Sequence, residues 1–497
     1  MKRRIAMVVI ALVFIGTIFL PMYGVAASAW QANGNPVCTY LSEQKNPKLC
    51  SDGQGGAIIA WEDYRADIFI DIYAQKMSST GTPQWTSNGT LICNATNEQA
   101  NIQLCSDGAG GAILVWQDYR DSNADIYAQR VDSQGTTLWT FNGVPIVNLS
   151  ETQENPRLCS DGAGGAIIVW CDKRSGQEDV YAQRITSNGH LEWTIDGIPI
   201  CIKAGRQDLP EIISDGTGGA IMCWADNRSI YDIYAQRVDD TGVCQWGANG
   251  TVICNATNYQ DSAKLCSDGA HGAIIVWMDY RNGNDNIYAQ RITSAGAVQW
   301  TGNGTAICND IFVMAPQICS VNSGGAIIAW HDYRGPDWDI YAQYVTQSGQ
   351  VAWTLNGDAI CNATNDQLEA RICSDGSDGA IICWEDMRTE VDIYAQRVSS
   401  SGNIRWQFNG EVVCNHISGS YEYQSTNAGV GAAIFTWRDN RNSGATKNGI
   451  NPDIYALKIT TPSMGGDPGL VLLLLIIPIV GVAVGLLILY LRREQLE

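Results

Sequence analysis

Residues 110–120 read GGAILVWQDYR. Two glycines open the stretch, an apolar run follows, and Trp116, Asp118 and Arg120 then stand two apart. Side chains two apart on a β-strand share a face, so an indole, a carboxylate and a guanidinium point the same way. The rest of the chain decides whether that row is an active site or a fastener, because the row recurs. Trp61, Trp116, Trp170, Trp224, Trp277, Trp330, Trp384 and Trp437 follow one another at spacings of 53 to 55 residues, and each begins Trp-x-Asp-x-Arg. Self-similarity at a period of this length marks a repeat architecture.

A second tryptophan, in W-x-x-[ND]-G or a close variant, recurs at Trp30, Trp85, Trp139, Trp193, Trp246, Trp300, Trp353 and Trp406. The two series account for all the tryptophans except Trp338. Each unit predicts four short strands, illustrated by NIQLCSDG (a), GGAILVWQDYR (b), DIYAQRVDS (c) and TTLWTFNGVPIV (d), with tight Gly-containing turns at a–b and c–d. Eight such units predict an all-β, closed eight-bladed β-propeller. The chain opens on a lone strand d, WQANGNPVC, and its last repeat stops after strand c at DIYALKIT. The N-terminal strand therefore completes the last blade, and closure removes the exposed edges that an open array would carry.

The ends set the expected compartment. Lys2, Arg3 and Arg4, an apolar run, and Ala27-Ser28-Ala29 read as a signal peptide over 1–29. The propeller spans 30–459, and 460–468 is a short linker. Residues 469–491 are uncharged and long enough for one transmembrane helix, and 492–497, with Arg492 and Arg493, form a cytoplasmic tail. The propeller is thus expected outside the cell, held to a single-pass membrane anchor. Between the predicted ends, 26 Lys+Arg face 49 Asp+Glu, a net of −23. Such a surface repels phosphate backbones, so nucleic acid is not an expected partner.

Orientation follows from the loops. The a–b and c–d turns are nearly uniform, whereas the b–c loops run from three residues between Arg228 and Asp232 to eleven between Arg441 and Asp453. Both termini fall on the uniform face, so the variable face, with b–c loops and d-to-a crossovers, points away from the membrane.

A catalytic site needs one asymmetric arrangement, and a packing solution needs the same part in every blade. The repeated row is therefore read as a fastener: Trp61, Asp63 and Arg65; Trp116, Asp118 and Arg120; and so on to Trp437, Asp439 and Arg441. The acidic residue opening strand c (Asp71, Asp125, Asp453 and their equivalents) lies across the hairpin, and the Arg is expected to bridge the two carboxylates by charge-assisted hydrogen bonds. The alternative is a repeated cation site. The acidic loops admit calcium, although no EF-hand spacing marks one, and no other cofactor is identified.

Seventeen cysteines in an exported chain pose a second choice. Five units place a Cys at the end of strand d and another in the next strand a: Cys38 and Cys50, Cys93 and Cys105, Cys254 and Cys266, Cys308 and Cys319, Cys361 and Cys373. Disulfides are one reading. Small buried apolar residues are the other, since Val147 faces Cys159 and Ile213 faces Cys201. Eight N-x-S/T sequons, at Asn88, Asn94, Asn148, Asn227, Asn249, Asn255, Asn303 and Asn362, are candidate glycan acceptors. No metal-protease, nucleophile-elbow, P-loop or dinucleotide motif is present, and His190, His271, His331 and His416 occupy four different repeat positions.

Departures from the repeat carry the functional reading. Phe69, Tyr231 and Trp338 lie in b–c loops, and Tyr40, Tyr259, Phe312, Tyr421 and Tyr423 in crossovers, all on the expected outer face. Aromatic residues beside Asp, Asn and Glu suit sugar stacking or a protein hot spot. The expected function is cell-surface binding or adhesion toward carbohydrate, envelope or protein. An extracellular enzyme, quinone-dependent or glycan-cleaving, and a structural envelope protein are the alternatives.

The repeat SDGxGGAIIxWxDxR…DIYAQR…G…W resembles secreted or surface-anchored propeller repeats of bacteria and archaea across nearly all of 30–459. Within the blade, YAQRVDSQGTTLW (127–139) resembles the tryptophan-docking strands of eight-bladed quinoprotein dehydrogenases. That likeness stops at these strands and places none of that family's cofactor or catalytic residues here. The S-D-G-x-G-G turn is more weakly similar to the sialidase Asp-box, whose spacing differs.

Overall fold

A computed structural model describes residues 30–460, apart from 67, 311, 417–418 and 443–450. The expected signal peptide, the linker beyond residue 460, the membrane helix and the tail lie outside the described residues. Among the described residues no helix is long and apolar enough to cross a membrane.

The described chain is 32 strands in eight four-stranded antiparallel sheets. Blades are numbered 1 to 8 from residue 44, and strands a to d run outward within each. In blade 2 they are Gln99–Ser106, Ala112–Asp118, Asp125–Val131 and Val144–Val147. The a strands of neighbouring blades lie against one another all the way round, including blade 8 against blade 1. Blade 8 takes its fourth strand, Asn35–Cys38, from the start of the chain. Trp30 of that segment donates its indole N–H to the Ser79 carbonyl of blade 1 at 3.0 Å. The ring is closed.

Strand d is shorter than its sequence suggests. After a single bridge between Val131 and Thr137, the W-T-F-N-G segment leaves the ladder at a turn in which Asn142 and Gly143 both have positive φ, 64° and 90°. A side chain on Gly143 would be strained, and its Cβ would lie 2.7 Å from the Trp116 ring. Asn88, Asn249 and Asn303 occupy the same turn position, each accepting a backbone N–H from the preceding d strand's end at 3.0 to 3.1 Å. Three of the eight sequons are thus built on turn asparagines whose side chains already link blades.

The row in the opening stretch is a fastener of different wiring from the expected one. All eight strand-b tryptophans are fully buried. The Trp116 N–H donates to Asp118 Oδ2 at 2.8 Å, and Arg120 grips the same carboxylate through Nε and Nη2 at 2.7 and 2.6 Å. Arg120 Nη2 also donates to the Asn142 carbonyl at 2.8 Å, and its guanidinium lies 3.8 Å from the Tyr127 ring centre. The Arg–Asp pair, the Trp–Asp bond and the Arg–Tyr stack recur in all eight blades.

The expected bridge to the strand-c acid is not made. Asp125 instead accepts from the Leu149 N–H at 3.1 Å, in the crossover to blade 3. The Arg turns away because left-handed Asn142 aims a carbonyl at it, and the Tyr127 ring fills the side nearest strand c. Burial then raises the strand-c acids, holding Asp125, Asp232, Asp339 and Asp453 at about 6.

A carboxyl whose pKa is raised on folding favours the protonated state, so its contribution to stability is lost as pH rises from its ordinary value through the folded value. The propeller is therefore expected to melt higher at pH 5 than at pH 7.5. His331, whose pKa burial lowers, opposes this in the same window, whereas Glu385, raised to about 7, adds to it. Replacing all four acids by Asn, as Asn286 already replaces one in blade 5, is expected to flatten the dependence in a thermal-melt series. An unchanged slope would remove these groups as its cause.

All 17 cysteines are free thiols in the structure, so of the two readings left open by the five candidate pairs it shows the unbridged one. The two members of each pair have different surroundings. Cys93 sits beside the next blade's fastener, 3.7 Å from Arg120 Nη2 and 3.9 Å from Asp118 Oδ2. Cys105 pairs with Ile113 beside the channel. Burial pushes both thiols up to about 12, which keeps them protonated and unreactive.

A second fastener joins the a–b turn to strand c. Asp107 caps the turn by accepting from Ala109 and Gly111, and holds Arg130 at 2.9 Å. Arg130 reaches on to the Ser187 carbonyl of blade 3 at 3.0 Å. Blade 6 replaces both partners together, with Val321 and Tyr344.

Candidate functional site: the crossover face and the channel mouth

The b–c loops and crossovers gather on one face because strands a and c both start there. Each crossover carries the chain from the rim to the channel, so the face surrounds the channel mouth. Tyr259 is 52% exposed and packs edge-on against Tyr280 at 5.4 Å. Tyr40 lies over Arg65 at 4.7 Å, and Phe312 and Tyr421 are exposed. Trp338 is half-buried, edge-on to His331 at 5.1 Å and tilted against Tyr333 at 5.3 Å. Its carbonyl accepts from Gln367 at 2.7 Å, so it also ties blade 6 to blade 7. Tyr231 plays the same double part, with its hydroxyl on Asp208 at 3.2 Å and its carbonyl on Gln260 N. Phe69 is half-buried.

Tyr423 is not on the outer face. It is 2% exposed, and its hydroxyl donates to the Glu369 carbonyl in the neighbouring blade. The cause is a β-bulge near the start of every strand a. In blade 2 the pairing shifts between Ala100 and Gln103, with Asn101 at φ 55°, and in blade 8 Glu422 takes that position at φ 53°. The extra residue turns the next side chain into the blade interface.

The mouth is where the eight blades differ most. The residue between Trp and Asp of the fastener is Glu62, Gln117, Cys171, Ala225, Met278, His331, Glu385 and Arg438 in successive blades. Blades 3 to 5 supply small and apolar groups, blade 6 an imidazole, and blades 7, 8 and 1 supply charge. Glu385 is raised to about 7, by burial first and then by Glu369, with Arg371 opposing. His331 Nδ1 is buried without a hydrogen-bond partner among the described residues. A carboxyl poised near neutrality beside a second carboxylate is the feature of this mouth closest to acid–base chemistry.

Below the mouth the channel is lined by one polar residue from each blade, Lys48, Gln103, Arg157, Glu211, Lys264, Gln317, Arg371 and Gln424, with Leu104, Leu158 and Ile212 beside them. None of these was singled out by the sequence reading. Their shared repeat position is visible in an alignment of the eight units, but their identities do not repeat. Among the described residues no three His, Cys, Asp or Glu side chains are grouped to hold a metal.

No protein family matches the chain, and no curated protein does. Solved structures that match it have little sequence in common with it. One is a protein of unknown function from Dyadobacter fermentans, 8% identical, covering 85% of this chain and 96% of that one at a TM-score of 0.40. Another is the β-propeller domain of the trilobed protease from Pyrococcus furiosus, 8% identical over 75% of this chain and all of that one, TM-score 0.42. A third is a puromycin-hydrolyzing peptidase from Mycobacterium tuberculosis, 10% identical over 84% of this chain and 62% of that one, TM-score 0.43. At these identities the likeness concerns the fold alone.

Proposed function

We propose that this chain is a recognition protein of the cell surface, exported by its first 29 residues, held by a helix over 469–491, and presenting the crossover face to carbohydrate or protein. One observation carries the reading. The fasteners repeat around the whole ring, while varied loops, the Tyr259–Tyr280 and Trp338–Tyr333 contacts and non-repeating polar groups share one face. A scaffold made uniform everywhere except one face is built to display that face. Tyr259 on Tyr280 and Trp338 on His331 and Tyr333 are aromatic pairs of the kind that stack on sugars or anchor a partner.

The test is a glycan-array and envelope-protein binding screen. Tyr259→Ala and Trp338→Ala are each expected to weaken a saturable interaction by about tenfold, the effect of losing roughly 1.4 kcal/mol. Wild-type affinity in both variants would remove the aromatic pairs from the site. Of the enzymatic alternatives, quinone-dependent oxidation and glycan cleavage, Glu385 beside Glu369 favours the second. Glycosidic hydrolysis abolished by Glu385→Gln would establish it.

A further inference from the structure

The geometry points to a binding site in the central channel for a small molecule carrying two or more oxyanion groups (carboxylate, phosphate or sulfate), held by the ring that runs from Lys48 to Gln424. This site lies beneath the crossover face and is independent of what that face recognises. Cations stand in alternate blades, with Lys48 in blade 1, Arg157 in 3, Lys264 in 5 and Arg371 in 7. Glutamine fills blades 2, 6 and 8, and Glu211 is the ring's one carboxylate. The ring carries a formal +3 in a chain of net −20. It encloses a cavity of about 430 Å³, the scale of a small-molecule site.

Pairing within the ring is one-sided. Glu211 engages Lys264 and lies 3.6 Å from Arg157. On the opposite side the one ion pair of Arg371 among the described residues is with its own bulge residue, Glu369, at 3.4 Å, and its Nη1 donates to the Ala370 carbonyl at 3.1 Å. The Lys48 ammonium makes no ion pair or hydrogen bond among the described residues. The carboxylates nearest it are already held: Glu62 by Asn46 Nδ2 and the Asn101 N–H, and Glu422 by the Asn46 N–H and Arg438.

Four like charges facing one cavity repel one another. Burial lowers the Lys48 ammonium to about 8, and Arg157 and Arg371 push in the same direction against Glu62 and Glu422. A fold seeking stability alone would place an apolar or neutral residue there. An oxyanion relieves the repulsion and finds donors already placed, with an Arg fork, an ammonium and the Gln424 amide on adjacent blades. The side chains of Arg157, Lys264 and Arg371 are 30 to 34% exposed, so a ligand in the channel can reach them. The acidic exterior disfavours a polyanionic chain and leaves a small anion that enters by the mouth.

The experiment is calorimetric titration of the purified protein with inorganic phosphate, sulfate, citrate and a sulfated disaccharide, with chloride as the monovalent control, at constant ionic strength. At least one multivalent anion is expected to bind tenfold or more tightly than chloride, and which one distinguishes a free acid from a sugar-borne group. Lys48→Gln and Arg371→Gln are expected to weaken that binding at least tenfold, while Lys203→Gln, in an exposed crossover, leaves it unchanged. Without ligand, Lys48→Gln is expected to melt higher than the wild type, because the repulsion is gone. Wild-type affinity falls from pH 7 to pH 9 as Lys48 loses its proton, and Lys48→Arg keeps the binding and removes that fall. Equal binding of chloride and every multivalent anion, or unweakened binding in folded ring variants, overturns the proposal.

Discussion

Asp118→Ala is expected to destabilise the propeller by about 3–5 kcal/mol in urea unfolding, whereas Asp125→Ala, seven residues on, should cost well under half as much. Both aspartates are buried, so burial does not separate them. Partners do. Removing the Asp118 carboxylate strands the fully buried Trp116 N–H, the Arg120 backbone N–H and the Arg120 guanidinium that grips it twice. A charge left without its partner in a largely desolvated site carries the penalty associated with breaking a buried pair. The Arg120 guanidinium keeps the Asn142 carbonyl, the Cys93 sulfur and the face of Tyr127, none of them a counter-charge. Removing Asp125 strands the Leu149 N–H, costs Asn123 Nδ2 one of its three acceptors, and deletes a carboxylate that burial already disfavours. Equal losses at the two positions would mean that the Arg engages both acids, contrary to the observed bonds.

Deleting residues 30–38 should have the larger effect, on the order of 5 kcal/mol or more. It removes the fourth strand of blade 8 and, with it, buried Val37 and Cys38. It also takes away the Asn33 carbonyl that completes the Arg441 fastener at 2.6 Å and the Trp30 bond to blade 1. Strand c of blade 8 becomes an open edge, and such edges pair with other chains. Light scattering should show oligomers, and a synthetic peptide of residues 30–38 should restore the monomer and the melting temperature. A monomer of unchanged stability after the deletion would show that the ring does not close through this strand.

Residues that repeat made the architecture legible. Eight Trp-x-Asp-x-Arg rows, the order of strands within a unit, and the lone strand at the start of the chain are enough to deduce blade number and closure. The same logic reads the row as a fastener, and the Trp–Asp and Arg–Asp bonds repeat in every blade. What spacing does not reveal is where a backbone carbonyl points. The Arg partner is the Asn142 carbonyl because Asn142 and Gly143 adopt left-handed conformations, and only the three-dimensional turn shows that. Tyr423 was misplaced for a related reason: one extra residue in a bulge reverses the side of the strand that a residue faces.

The channel ring escaped because Lys48, Gln103, Arg157 and Glu211 look like unremarkable strand residues when each blade is read alone. Their relation exists only once eight copies are wrapped around one axis. The cysteine pattern shows the opposite hazard. Two regular series invite pairing, yet one caps the neighbouring blade's Arg–Asp pair and the other packs beside the channel.

The most direct test of a uniform scaffold displaying one functional face is to compare variants on the crossover face with variants at the perimeter in a single binding measurement. Tyr259→Ala with Trp338→Ala removes aromatic groups from the face, and Phe141→Ser with Phe408→Ser removes exposed aromatics from the outer rim. Each pair, with the wild type, would be titrated by surface plasmon resonance against the strongest partner from the glycan and envelope screen. The account predicts that the face pair loses at least tenfold in affinity while the rim pair binds like the wild type. Loss confined to the rim pair would contradict it and make the propeller a laterally packed structural element.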